Sequence, residues 1–226
     1  MRGDLASSGR QGCALWVSID GVECAGKTSL CERLRMATQT SHLLPEFSST
    51  PVGLHLQSSV KLSPHFISSS MVGQSLLFLA DYAEIAKAAA QIDDSEGRII
   101  VQDRGLLSKL VYQLVVLRRS IGERRARKLP SAIIEELPKP DVTVLLDAPM
   151  SVIESRLALG RPGWITAERQ AFVKEASAAF REELEKLQGV TLNLYQEPPD
   201  TADDTLSAVL TKMLSRPPKR TLPILN

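Results

Sequence analysis

Apolar positions along the chain follow two alternating rhythms. Ala14–Ile19 (ALWVSI), Arg98–Gln102 (RIIVQ) and Val142–Leu146 (VTVLL) are near-continuous apolar runs. Such runs have no polar face, as expected of parallel strands covered on both sides. Ser41–Glu46 and Val190–Tyr195 are two further β-rich stretches, making five in all. Between them the apolar spacing turns helical. The predicted helices are Thr28–Ala37, Gln74–Gln91, Leu106–Arg118, Ser151–Leu159, Thr166–Leu187 and Thr201–Leu214. Leu76, Leu77, Ala80, Ala83 and Ala86 mark the second; Phe172, Ala176, Ala179, Phe180 and Leu184 stripe the fifth. Strand–helix alternation of this kind predicts a doubly wound α/β fold, helices covering both faces of a parallel sheet. Ligands of such sheets bind at the carboxyl ends of the strands.

The first strand runs directly into Gly21-Val22-Glu23-Cys24-Ala25-Gly26-Lys27-Thr28, followed by Ser29 and a helix. This is the G-x-x-x-x-G-K-[ST] pattern. Its glycines let backbone N–H groups turn inward as an anion nest, and the following helix adds its positive end. Lys27 reaches the β- and γ-phosphates and the Thr28 hydroxyl ligates Mg²⁺, so the segment reads as a nucleoside triphosphate site. Glu23 inside the loop would repel a triphosphate unless it points outward, to metal-bound water or an acceptor. Asp20, just before the loop, has the same two readings, acceptor contact or turn cap.

The third strand ends Gln102-Asp103-Arg104. An acid at that strand end lies beside the phosphate loop and can hold Mg²⁺ through water, while the adjacent arginine clamps a phosphoryl group.

Composition narrows the partners. The 226 residues are 43% hydrophobic and 23% charged, ordinary globular usage, with 27 basic against 26 acidic side chains. A net charge of +1 with five Phe, three Tyr and two Trp argues against nucleic acid or a membrane surface as a partner. Three cysteines (Cys13, Cys24 and Cys31) form no disulfide or metal framework, which suits a reducing, cytoplasmic setting. The apolar stretch Met71–Ala90 is interrupted by Asp81, Glu84 and Lys87 and does not read as a membrane span. The expected organisation is a disordered tail over 1–13, one domain over 14–215 and a Pro-rich tail over 216–226. The basic segment Leu117–Lys128 reads as a solvated helix face.

Five blocks in order resemble the thymidylate kinase family. Ser18–Thr28 is similar to its phosphate loop E-G-x-D-G-A-G-K-S, and Pro45–Gly53 (PEFSSTPVG) to its R-E-P-G-G-T-P-x-G segment. Leu76–Ala83 (LLFLADYA) resembles L-L-F-x-A-D-R-A; Asp103–Gln113 resembles D-R-Y-x-x-S-x-x-A-Y-Q; Pro140–Asp147 resembles P-D-x-x-x-x-L-D. The resemblance implies a P-loop kinase fold, three layers around a five-stranded parallel sheet with an arginine-bearing lid at about 156–168. It also implies ATP and Mg²⁺ as donor, a nucleotide or other small-molecule phosphate acceptor, and often a homodimer. Lys27, Asp103, Arg104, Glu23 and lid Arg156 are then the catalytic candidates. The loop from Gly21 to Ser29 with Arg161 would bind the donor; Asp20, Glu46, Phe47, Phe78, Tyr82, Arg104, Ser108 and Tyr112 would bind the acceptor; Thr28 and Asp103 would bind the metal.

Departures fall on the acceptor side. The family's base-reading arginine aligns with Tyr82, its second phosphate arginine with Pro45 or Phe47, the tyrosine after Asp-Arg with Gly105, and a loop glycine with Cys24. Two acceptors therefore stand open at this level. A monophosphate needs no base, whereas a nucleoside or other hydroxyl would call on Glu23 or Asp20. A nucleotide-binding protein without catalysis is the third reading.

Overall fold

A computed structural model of the chain describes residues 14–37, 41–62, 70–92, 99–160, 166–187 and 190–192. The apolar runs form β1 (Leu15–Asp20), β3 (Ile99–Asp103) and β4 (Val142–Leu146), with β2 (Ser41–Leu44) and β5 (Val190–Leu192) outside them. All pairings are parallel and the order is β2-β3-β1-β4-β5. The expected five-stranded parallel sheet is therefore present, with β1 central and Val17 opposite both Val101 and Val142.

Strand alternation sends β1 side chains to two cores. Val17 and Ile19 join Val144, Leu34, Leu107, Phe172 and Phe180 on one face. Trp16 joins Ile100, Leu79, Tyr82, Ala86 and Ile134 on the other. Trp16 is wholly buried and its indole N–H donates to Gln102 Oε1 at 3.1 Å, so its polar end is satisfied within the core.

The helices are α1 (Lys27–Ala37), α2 (Pro51–Leu62), α3 (Met71–Ala90), α4 (Leu106–Ile121), α5 (Glu123–Glu135), α6 (Met150–Gly160) and α7 (Ala167–Leu187). Two of these the apolar spacing missed. Proline in the first position of α2 follows Thr50, whose hydroxyl accepts the Gly53 N–H at 3.4 Å, a start signal of local chemistry rather than periodicity. The basic segment at 117–128 spans a break: Gly122, at φ 75°, ends α4 and begins α5. Nor is that segment simply a solvated face. Arg119 pairs with Glu175 (3.3 Å) and Arg127 with Glu182 (2.7 Å), Glu123 and Glu183, fastening α4 and α5 to α7. The expected tails, the helix at 201–214 and Arg161 lie outside the described residues. Among those described, no helix is long and apolar enough to cross a membrane.

Candidate active site

At the carboxyl edge of the sheet, β1 gives way to a loop that only a glycine can begin. Gly21 has φ 141°, and a Cβ there would stand 2.5 Å from the Leu146 carbonyl oxygen. The chain turns through Cys24 at φ 59° and Gly26 at φ 99° before α1 starts at Lys27. Lys27 is 5% exposed, and its ammonium donates to the Val22 carbonyl at 2.7 Å. Burial, with Arg104 nearby, pushes its pKa down to about 7, poising a charge that a polyphosphate would recover.

Thr28 Oγ1 donates to Asp103 Oδ2 at 2.6 Å, joining the start of α1 to the end of β3. Asp103 Oδ1 is buried without a hydrogen-bond partner among the described residues. A hydroxyl and a carboxylate with an oxygen to spare fit Mg²⁺, which takes hard oxygens and binds through one or two carboxylates plus phosphates. Among the described residues no group of three or more acidic, His or Cys side chains is arranged to hold a metal ion, so protein ligation there would be this sparse.

Arg104 follows at φ 64°, a left-handed position costly for a non-glycine residue and held by its N–H bond to Ile19 O at 3.0 Å. Its guanidinium reaches Glu46 Oε1 (3.2 Å), Tyr112 Oη (3.3 Å) and Gly21 O (3.4 Å). Burial opposes its charge, but Glu46, Tyr112 and Asp103 outweigh that and raise its pKa. Tyr112 is fixed in turn by stacking on Phe172 (centroids 6.0 Å apart). Gly105 leaves room behind: a Cβ there would meet Ser18 Cβ at 2.3 Å, so the side chain that follows Asp-Arg in the resembling family has no space here.

These groups share one cleft of about 620 Å³. Glu23, Cys24, Gly26, Lys27, Thr28 and Ser29 line it, as do Glu46, Phe78, Asp103, Arg104, Ser108, Tyr112 and Arg156. Arg156, on α6, donates to the Cys24 carbonyl at 3.1 Å. Most expected site residues thus converge.

Several do not. Tyr82 is wholly buried against Trp16, Leu79, Ile100 and Leu106, and its hydroxyl donates to Pro138 O at 3.3 Å. One helical turn beyond Phe78, α3 has passed the cleft and lies over the sheet, so Tyr82 does not line the acceptor space. Asp20 is also wholly buried; its Oδ1 accepts the Ser108 N–H at 2.8 Å, fixing the start of α4, and burial raises its pKa. Phe47 stands behind the wall, packed with Leu56 and 6.3 Å from Phe78. Gly21, Val22 and Ala25 shape the loop without lining the cleft. Glu23 lines it but is gripped two-pronged by Arg169, with Arg169 Nε 2.7 Å from Oε1, so it is a paired carboxylate and not a free base. Asp147 is likewise taken, by Arg181 at 2.7 and 2.9 Å.

Two cleft-side groups escaped the sequence reading. Arg169 stands in the first turn of α7, where the helix dipole disfavours a cation, a signal that some anion holds it there. Lys109 stands in a largely apolar stretch of α4, is 4% exposed and lines the cleft, its ammonium donating to Glu46 O at 3.0 Å. Burial lowers its pKa, opposed by Glu46 and Asp81.

Comparison with known proteins bears on family and fold. The family model described as thymidylate kinase matches residues 19–203. A thymidylate kinase of Prochlorococcus marinus is 27% identical over 183 residues, covering 74% of this chain and 79% of the relative. A probable thymidylate kinase of Pyrobaculum aerophilum is 27% identical over 146 residues, 63% of this chain and 69% of the relative. The solved thymidylate kinase of Candida albicans matches with a TM-score of 0.68 at 20% identity, over 88% of this chain and 92% of its own; that likeness speaks for the fold.

Proposed function

The chain belongs to the thymidylate kinase family and is an ATP-dependent nucleotide kinase, and we propose that its cleft moves the γ-phosphoryl group of ATP to a nucleoside monophosphate through the residues just placed. One observation carries the assignment of roles. The Thr28–Asp103 bond of 2.6 Å sits in the same cleft as Lys27 and an Arg104 held by Glu46 and Tyr112.

Phosphoryl transfer asks for positioning and neutralisation of spread charge more than for covalent chemistry. The loop N–H groups and Lys27 hold the donor's phosphates. Thr28 and Asp103 are the residues that would hold Mg²⁺, which when bound neutralises β- and γ-phosphate charge. Arg104, aimed by Glu46 and Tyr112, clamps the acceptor phosphate, and Arg156 approaches from α6 over the loop at Cys24. The acceptor oxygen of a monophosphate is already anionic, so the site needs no general base. The geometry supports this reading over a hydroxyl acceptor, because Asp20 is sealed beneath α4 and Glu23 is held by Arg169. A homodimer is part of the same reading, from the family.

The test incubates the protein with ATP, Mg²⁺ and a panel of nucleoside monophosphates and free nucleosides, followed by phosphorus NMR. A β-phosphate signal from a monophosphate is expected. A new phosphomonoester from a nucleoside, with no diphosphate formed, would overturn the acceptor assignment.

A further inference from the structure

We propose that Arg169 is a positioning residue for the donor: its two-pronged grip on Glu23 cancels, inside the phosphate loop, a negative charge that would repel the triphosphate. The inference rests on the kinase reading above and accounts for an acid in that loop.

Glu23 stands three residues before Gly26 and lines the same cleft as Gly26, Lys27 and Thr28. A carboxylate there works against an anion nest. The loop's lysine is a weak counterweight, since burial and Arg104 hold its pKa down to about 7. Arg169 brings a full positive charge: its Nε lies 2.7 Å from Glu23 Oε1, and its Nη2 donates to Oε2. The two side chains are 9% and 12% exposed, so water screens the carboxylate little and a cation in direct contact does so instead. Arg169 itself stands outside the residues that line the cleft, and so acts on the donor through Glu23 without touching phosphate.

A pin for α7 alone explains this poorly. Thr166 caps that helix by accepting the Arg169 N–H at 3.2 Å, and Phe172, Val173 and Ala176 seat the turns that follow. A cation in the first turn opposes the helix dipole, so it is the acid of the loop, and not the helix, that makes an arginine favourable there.

The experiment measures Kd for the β,γ-imido analogue of ATP with Mg²⁺, by calorimetry and without acceptor, in wild type, Arg169→Met, Glu23→Gln and the double variant. Both single variants break the same pair, but they shift the charge at the loop in opposite senses. Arg169→Met should weaken binding by about tenfold to a hundredfold, whereas Glu23→Gln should tighten it. The double variant restores the charge balance and should bind with an affinity near that of wild type. Raising KCl from about 0.05 to 0.5 M should shrink the gap between the single variants. A mere pin predicts equal weakening in both; that result, or a gap indifferent to salt, overturns the role of Arg169. Should Arg169→Met fail to fold, Glu23→Gln against the double variant carries the test. The former holds one more positive charge at the loop and should bind the analogue more tightly; equal affinities overturn the proposal. A wild type that binds no analogue removes the donor-site reading, and this inference with it. One that binds it and phosphorylates no monophosphate removes only the acceptor assignment.

Discussion

Breaking the Glu23–Arg169 pair should cost far more than breaking a surface ion pair. The two side chains are 12% and 9% exposed, the contact is two-pronged, and it joins the phosphate loop to the first turn of α7. Arg169→Met removes the two-pronged cation from the Glu23 carboxylate, and Glu23→Gln removes the anion that the Arg169 guanidinium grips. Removal of one partner of a buried pair typically destabilises by about 3–5 kcal/mol. For a chain of this size each kcal/mol moves Tm by about 2–4 °C, so each single variant should melt roughly 6–20 °C below wild type. The double variant Glu23→Gln/Arg169→Met removes both charges and should recover much of that loss, to within about 2 kcal/mol of wild type. Thermal melts followed by circular dichroism on the four proteins close the cycle. A coupling energy below about 0.5 kcal/mol would show the two residues acting independently and refute the reasoning.

Asp103→Asn should raise the Mg²⁺ concentration for half-maximal activity by on the order of tenfold, read from a metal titration at saturating ATP; an unchanged titration would place the metal elsewhere. Asp20→Asn keeps the acceptor for the Ser108 N–H and removes a carboxylate whose folded pKa is raised, by burial, above its ordinary 3.8. The folded chain then binds the extra proton, so Asp20 weakens the fold increasingly as pH climbs past 3.8, and the variant should gain Tm at pH 7 and lose the gain toward pH 4. A variant less stable at pH 7 would contradict that sign. Tyr82→Arg should unfold the protein or lower its stability by about 3 kcal/mol or more, without creating a base-reading arginine, because position 82 is wholly buried in an apolar core. A folded, active variant with improved thymidylate kinetics would show that α3 is placed differently.

What the sequence made legible was local. The phosphate loop is eight consecutive residues between a strand and a helix, and its chemistry needs nothing distant. Asp103 and Arg104 could be placed because a parallel sheet brings its strand ends to one edge. Position along a helix was harder. Phe78 and Tyr82 share a nominal face, yet only the first meets the cleft, since which turn of α3 passes the site depends on how the helix crosses the sheet. Long-range pairing was invisible: Glu23 looked like a free carboxylate until Arg169, 146 positions away, occupied it. The missed helices were misread for a different reason. Thr50-Pro51 and Gly122 announce helix ends through capping and backbone conformation, signals that apolar periodicity does not carry.

The fastening of α7 leaves out one turn, and that sets how the cleft would open. Its distal half is tied by Arg127 to Glu182 and Glu183 and by Arg181 to Asp147, over the buried Ala179, Phe180 and Leu184. Its middle is held by Arg119 to Glu175, over the buried Phe172, Val173 and Ala176. The first turn buries no apolar side chain and meets the phosphate loop through Arg169. A helix seated from Phe172 onward frays instead of swinging. Amide exchange along α7 should accordingly be fast before Phe172 and slow beyond it, and any molecule that competes for Glu23 would act as a wedge at that first turn.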